Sequence, residues 1–169
     1  MNEHYLRRLL GSRQELERKI EEFKNAGVVK IMPPDINAVK GHIAKAVSNI
    51  RFVDSISKEF SDWAVVGCYY CLYHAALALI IRKGFFSKSH DATLCLLMLE
   101  YYRDLSEDDL ALVNFAFLTK EDILFYVKAK NKREEASYSA KTRFGWSDIN
   151  TIFTNTRLFL NKAKKLISE

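Results

Sequence analysis

Apolar residues recur along this chain at helical spacing from one end to the other. In the first 25 residues Leu9, Leu16, Ile20 and Phe23 fall at steps of seven, four and three, with Arg, Glu and Lys between them. Steps of three, four and seven keep side chains on one helical face, so the spacing predicts an amphipathic helix over about 3–25, ending near Gly27. Pro33-Pro34 then interrupts the chain, and Asp35 is placed to accept a first-turn N–H of a new helix. Ile36, Val39, Ile43, Val47, Ile50 and Val53 mark the buried face of that helix to about residue 53.

The pattern then changes. Over residues 63–81, "WAVVGCYYCLYHAALALII", only His74 is neither apolar nor glycine. Gly84 is a natural stop, with Arg82 and Lys83 close to the negative helix end. A further helix restarts near Lys88 to Asp91 and runs through "ATLCLLMLEYY". Ser106 with Asp109, and Thr119 with Asp122, have capping-box spacing before two more helical stretches. "FLTKEDILFYV" is aromatic and β-branched, but the cap in front of it favours a helix over a strand. Gly145 ends that element. Ser147 is placed to cap a last helix, with Ile149, Ile152, Phe153, Thr156, Phe159, Ala163 and Leu166 on one face. No strand, repeat or low-complexity linker is read. The sum is an all-α, up-and-down bundle of five to seven helices, with segment 63–82 as its buried central helix.

Composition narrows this picture. The chain of 169 residues is long enough for one domain with a sizeable core. Two prolines and six glycines are too few turn-formers for a many-stranded β protein, and 28% charged residues argue against global disorder. The start, "MNEHYLRRLLGSRQELERK", has no apolar run of signal-peptide type, and three cysteines form no secreted disulfide framework. A reducing cytoplasm is the expected location. Residues 1–118 hold 15 Lys/Arg against 15 Asp/Glu, whereas residues 119–169 hold 11 against 6, so the whole +5 charge lies in the last third. That imbalance suits an anionic partner, and it equally suits a solvated, lysine-rich helix face.

The apolar segment admits three readings. A membrane span is suggested by its length. His74 and three tyrosines near the middle oppose it, because interfacial aromatics belong at the ends of a span. A metal site is suggested by Cys68, Cys71 and His74, but positions i, i+3 and i+6 share a helix face only loosely. A buried central helix explains every residue, provided that His74 and the tyrosine hydroxyls find hydrogen-bond partners. Neither a membrane nor a metal is therefore expected. No phosphate loop, dinucleotide fingerprint, H-E-x-x-H or serine-nucleophile elbow is present, and no cofactor is expected.

Residues 69–92, "YYCLYHAALALIIRKGFFSKSHDA", resemble the HEPN domain family (higher eukaryotes and prokaryotes nucleotide-binding domain). Its members often show Tyr-Tyr-x-x-x-His-Ala-Ala, a Lys-Gly stop and a Ser-Lys-x-His segment opening the next helix. "REEASY", residues 133–138, is similar to the family's Arg-x-x-Ala-(Asp or Ser)-Tyr segment on a later helix. The likeness spans residues 35–167, beside an N-terminal helix within 1–30. It implies a single-domain bundle over 1–169, commonly a homodimer. It also implies one of two roles. In one branch the domain is a metal-independent ribonuclease, often a toxin of a toxin–antitoxin pair, with Arg-x(4-6)-His motifs meeting across the dimer. In the other, the domain lacks that motif and partners a minimal nucleotidyltransferase. Here Arg133 is followed, after four residues, by Tyr138 where the ribonuclease would have His.

The expectation is accordingly the second branch: a binding or accessory protein for a nucleotide or RNA, or a nucleotidyltransferase partner. The alternative is a divergent ribonuclease using Arg133, with His74 or His90 moving the proton. Arg133 can fork onto a phosphate. Tyr138 lies about 140° round the helix from it, so the two are expected to line one cleft without touching. Lys88, Ser89 and His90 form a polar cluster at a helix start, where backbone N–H groups favour anions or Ser89 simply caps. Lys128, Lys130, Lys132, Lys141 and Arg143 make 128–143 the expected anionic-partner patch, with Tyr126 and Tyr138 as stacking faces. Tyr69, Tyr70, Tyr73 and His74 are expected in the structural core.

Overall fold

The computed structural model describes residues 3–56, 60–102, 118–139 and 144–168. Within them the chain is an all-α bundle of seven helices with one small ribbon. In order these are α1 (Glu3–Gly11), α2 (Arg13–Asn25), β1 (Val29–Ile31), α3 (Ile36–Ile56), α4 (Ser61–Arg82), β2 (Phe85–Ser87), α5 (His90–Tyr101), α6 (Lys120–Tyr138) and α7 (Trp146–Ser168). The helix α4 packs against α3, α5, α6 and α7 and is the centre of the bundle. By length and composition it could cross a membrane, but 78% of its most apolar window is buried inside the bundle. Its apolar character is thus used against its neighbours.

Caps written into the sequence set several helix ends. Asp35 Oδ1 accepts from Ala38 N at 3.0 Å. Thr119 and Asp122 form a complete capping box at the start of α6, so this stretch is helical as expected. Ser89 caps α5. The Ser106–Asp109 pair and the apolar run after it lie outside the described residues.

Three local expectations are corrected. The single helix over 3–25 is two helices. Ser12 leaves helical geometry at φ −142°, ψ 100°, and its hydroxyl accepts from Glu15 N, which starts α2 afresh. The break lets Leu6 and Leu9 of α1 bury alongside Leu16 and Ile20 of α2. Strands do occur: β1 pairs antiparallel with β2, Val29 opposite Ser87 and Ile31 opposite Phe85. Three residues each are too short to leave a period-two signal. Gly84 makes their closure possible. It sits at φ +82°, and a Cβ there would stand 2.8 Å from the Met32 carbonyl oxygen. Finally, α7 begins at Trp146, so Ser147 lies inside the helix rather than at its cap.

The core is not uniform around α4. Most of its residues are buried, but Trp63, Val66, Tyr70, Tyr73 and His74 form a stripe at steps of three and four that the bundle leaves partly open. Tyr69 is fully buried. Tyr70, expected in the core, is 36% exposed, because its position one residue on turns it about 100° from Tyr69 into that stripe. Tyr73 and His74 are half-buried.

Candidate functional site

The open stripe of α4 is bordered by the start of α5 and the last turns of α6, and there the sequence-marked polar residues gather. Arg133, on α6, is half-buried. Its guanidinium carbon lies 5.4 Å from the centroid of Tyr69, 5.8 Å from Tyr70 and 5.9 Å from Tyr138. Its contact with Tyr138 corrects the expectation from the i+5 offset. Helical side chains lean toward the N-terminus, so Tyr138, at the end of α6, reaches back over the long arginine. Among the described residues Arg133 makes no ion pair, and its buried Nε has no hydrogen-bond partner. A cation walled by three ring faces is held in place without being neutralised.

His90 stands beside it. Its Nδ1 is 2.6 Å from the Tyr69 hydroxyl, and its ring centroid is 4.1 Å from that of Tyr73. Burial lowers its pKa first, and the Arg133 and Lys130 charges lower it further, against the opposing pull of Asp91 and Glu134. The imidazole is therefore neutral at neutral pH. Burial raises the Tyr69 pKa, so this phenol keeps its proton. The short contact is then a neutral hydrogen bond, with one proton on Nδ1 or on the phenol oxygen. Behind it Asp91 pairs with Lys130 at 2.7 Å, which locks the start of α5 to α6 and so fixes His90 relative to Arg133.

The structure separates what the sequence left together. Of the two histidines considered with Arg133, His90 joins it and His74 does not. His74 turns to α3, where its Nδ1 lies 3.0 Å from Nδ1 of His42. Burial, then the His42 and Lys45 charges, brings the His74 pKa down to about 4. Cys68 and Cys71 face the core instead, their thiols pushed up to about 12 by burial. Among the described residues no three potential metal ligands converge.

The patch over 128–143 also divides. Lys128 and Lys132 face a groove between α6 and α7, and Lys132 stands 3.7 Å from Glu135 and 3.9 Å from Asp148. Lys130 and Arg133 face α4 and α5. Four helical residues cannot share one side when their steps run two, two and one. Tyr126 is fully buried and offers no stacking face, and Lys141 and Arg143 lie outside the described residues. Lys88 is exposed, while Ser89 is occupied: its hydroxyl accepts from Ala92 N, and its own N–H donates to Ser87 Oγ. The cap accounts for Ser89.

Sequence reasoning missed Tyr69 and Tyr73 as walls of this pocket, and His42 as the partner of His74. The Tyr-Tyr-x-x-Tyr-His order held the signal, since steps of three and four put Tyr70, Tyr73 and His74 on one stripe.

No family model matches the chain, so the HEPN likeness rests on the segments quoted above. Over 126 residues, 74% of this chain and 78% of the relative, it is 26% identical to a Methanocaldococcus jannaschii protein named "Putative toxin MJ0142".

Proposed function

We propose that this chain is a HEPN-like protein of toxin type that binds RNA through a backbone phosphate at Arg133, with Tyr70 and Tyr138 flanking the ligand. The observation that carries the reading is a half-buried guanidinium with no carboxylate partner among the described residues, enclosed by rings and open along the α4 stripe. A positioned fork of this kind holds phosphate in two-point geometry. The likeness to a protein named as a toxin supports the class. In this reading the protein works in the cytoplasm as a homodimer, the partly open stripe of α4 meeting its copy, and a minimal nucleotidyltransferase is its partner.

One observation favours a second, catalytic reading. His90 is neutral and lies beside Arg133, held by the Tyr69 hydroxyl. If Nδ1–H donates to the phenol oxygen, Nε2 is free to take the proton of an RNA 2′-hydroxyl. The 2′-oxygen would then attack phosphorus while Arg133 stabilises the added charge. The imidazolium would return its proton to the departing 5′-oxygen.

The two readings part in one experiment. Labelled single-stranded RNA is mixed with the purified protein in EDTA, and binding is followed by anisotropy and cleavage on a gel. Arg133→Ala is expected to weaken binding at least tenfold, about 1.4 kcal/mol, with Arg133→Lys in between because it keeps charge but loses the fork. Unchanged binding in Arg133→Ala would overturn the proposal. Cleavage that His90→Ala abolishes while binding persists would establish the catalytic reading.

A further inference from the structure

The ribbon end of the molecule exposes apolar groups that the Arg133 pocket does not use. Residues 30–37 are all exposed, and among them are Ile31, at 70%, Met32 and Ile36. Phe86, on the paired strand, is exposed as well. These are four of the ten large apolar side chains exposed among the described residues, so the concentration is local and marks an interaction site. The register shows how they are aimed. Lys30 lies opposite Phe86, and Ile31 opposite Phe85. Alternation puts Phe86 on one face of the ribbon and Ile31 on the other. Val29 and Ser87, on the face of Ile31, are buried, so that face meets the bundle at one end and overhangs it at the other. The ribbon thus ends in a projecting tip that is apolar on both faces. The tip is stiff. Met32 N–H donates to the Gly84 carbonyl at 2.9 Å, and Lys88 N–H donates to that of Val28 at 3.0 Å, so both ends of the ribbon are closed.

Charge and backbone chemistry select what covers this tip. The segments that build it, 28–42 and 82–90, carry Lys30, Lys40, Arg82, Lys83 and Lys88 against one carboxylate, Asp35, a net +4. Asp35 itself accepts from Ala38 N–H at the start of α3. Residues 1–118 balance as a whole, 15 against 15, so the excess belongs to this end. A strand from another protein is a poor occupant, because Pro33 and Pro34 follow β1 directly and offer no N–H to extend the edge. A protein surface covers one face of a ribbon, and here both faces are apolar. A lipid interface receives side chains from every side of a projecting tip, and its anionic head groups meet lysines whose ammonium groups stay in water. We propose that the ribbon tip docks this protein on an anionic lipid surface. Ile31, Met32 and Phe86 enter the head-group boundary, the cations hold the lipid phosphates, and no helix crosses the bilayer.

The test sediments the full chain with phosphatidylcholine vesicles, with and without phosphatidylglycerol. Binding to the anionic vesicles is expected, weakening as salt rises, with little binding to the neutral ones. Ile31→Ser with Phe86→Ser is expected to weaken it at least tenfold, and so is Lys30→Glu with Lys83→Glu. Ile31→Ser alone, at the most open of these positions, is expected to act in the same direction, and circular dichroism checks that each variant folds. Arg133→Ala is expected to leave vesicle binding within twofold, so failure of the Arg133 reading and failure of this one are distinguishable. Absence of binding at millimolar anionic lipid would overturn the proposal. So would binding that the Ile31, Phe86 variant leaves intact, since charge alone would then account for it. Self-association that the same variant abolishes, without vesicle binding, would overturn it in favour of a contact between copies.

Discussion

His42 and His74 show how much one pair of side chains can decide. Their Nδ1 atoms face each other across α3 and α4 at 3.0 Å, so a single proton serves both. Protonating both rings would place two charges at hydrogen-bond distance, with Lys45 adding a third nearby. The folded-state pKa of His74, about 4, is below the ordinary value of about 6.5. As pH falls, the unfolded chain therefore takes up the proton first, and stability is lost between about pH 6.5 and pH 4. Urea unfolding across that range is expected to show a falling midpoint, and His74→Gln to flatten the fall. His42 and His90, whose pKa values are also lowered, leave a remainder. An unchanged slope in His74→Gln would show that the pair does not couple to folding. The same chemistry separates the histidines by role, since only His90 is held beside a guanidinium.

At the scale of elements, the most extensive packing is that of α3 on α4. Gly67 is its pivot: a Cβ there would stand 2.5 Å from Cγ2 of fully buried Val53. A β-branched side chain in a helix strongly prefers one rotamer, so Val53 yields only at a cost. Alanine has a better helix propensity than glycine by about 1 kcal/mol, while overpacking a filled core costs typically about 1–3 kcal/mol. Gly67→Ala is thus expected to destabilise by up to about 2 kcal/mol, read from the denaturant midpoint at constant slope. A more stable variant would mean that α3 and α4 can part freely. Because Tyr69, Tyr70 and Tyr73 lie on the same helix, any such parting also shifts the rings around Arg133 and His90.

At the scale of the molecule, one apolar cluster joins α1 and α2 to α4, α5, α6 and α7, from Leu6 to Leu166. A second, smaller cluster sits where α3 ends and α4 and α7 begin, tied by Phe144 N–H donating to Ser61 Oγ at 3.0 Å. The N-terminal pair of helices belongs to the larger cluster, since Leu6, Leu9 and Ile20 are buried there. Removing residues 1–28 strips that cover from α5. It is expected to lower the melting temperature, broaden the transition and raise binding of a hydrophobic dye. A truncated chain that melts as sharply and as high as the full one would show α1 and α2 to be an appendage.

The sequence by itself determined most of the helices and several of their ends, but not the break at Ser12. Repeats of three and four, the Asp35 and Ser89 caps, and the Thr119–Asp122 box act within a few residues, so they are legible without the fold. It also pointed to 63–81 as the central helix of the bundle, although Trp63 and Tyr70 on its open stripe stay exposed. What only the tertiary structure decided is which distant residues meet. Arg133 lies 43 positions from His90 and 64 from Tyr69. Their meeting depends on how α4, α5 and α6 pack, and periodicity carries no information on that. The i+5 offset put Tyr138 in one cleft with Arg133 but out of contact, because it counts rotation and ignores side-chain lean. The ribbon escaped because its six residues hold together through Gly84 and the Met32 backbone, a contact made across more than fifty residues of chain.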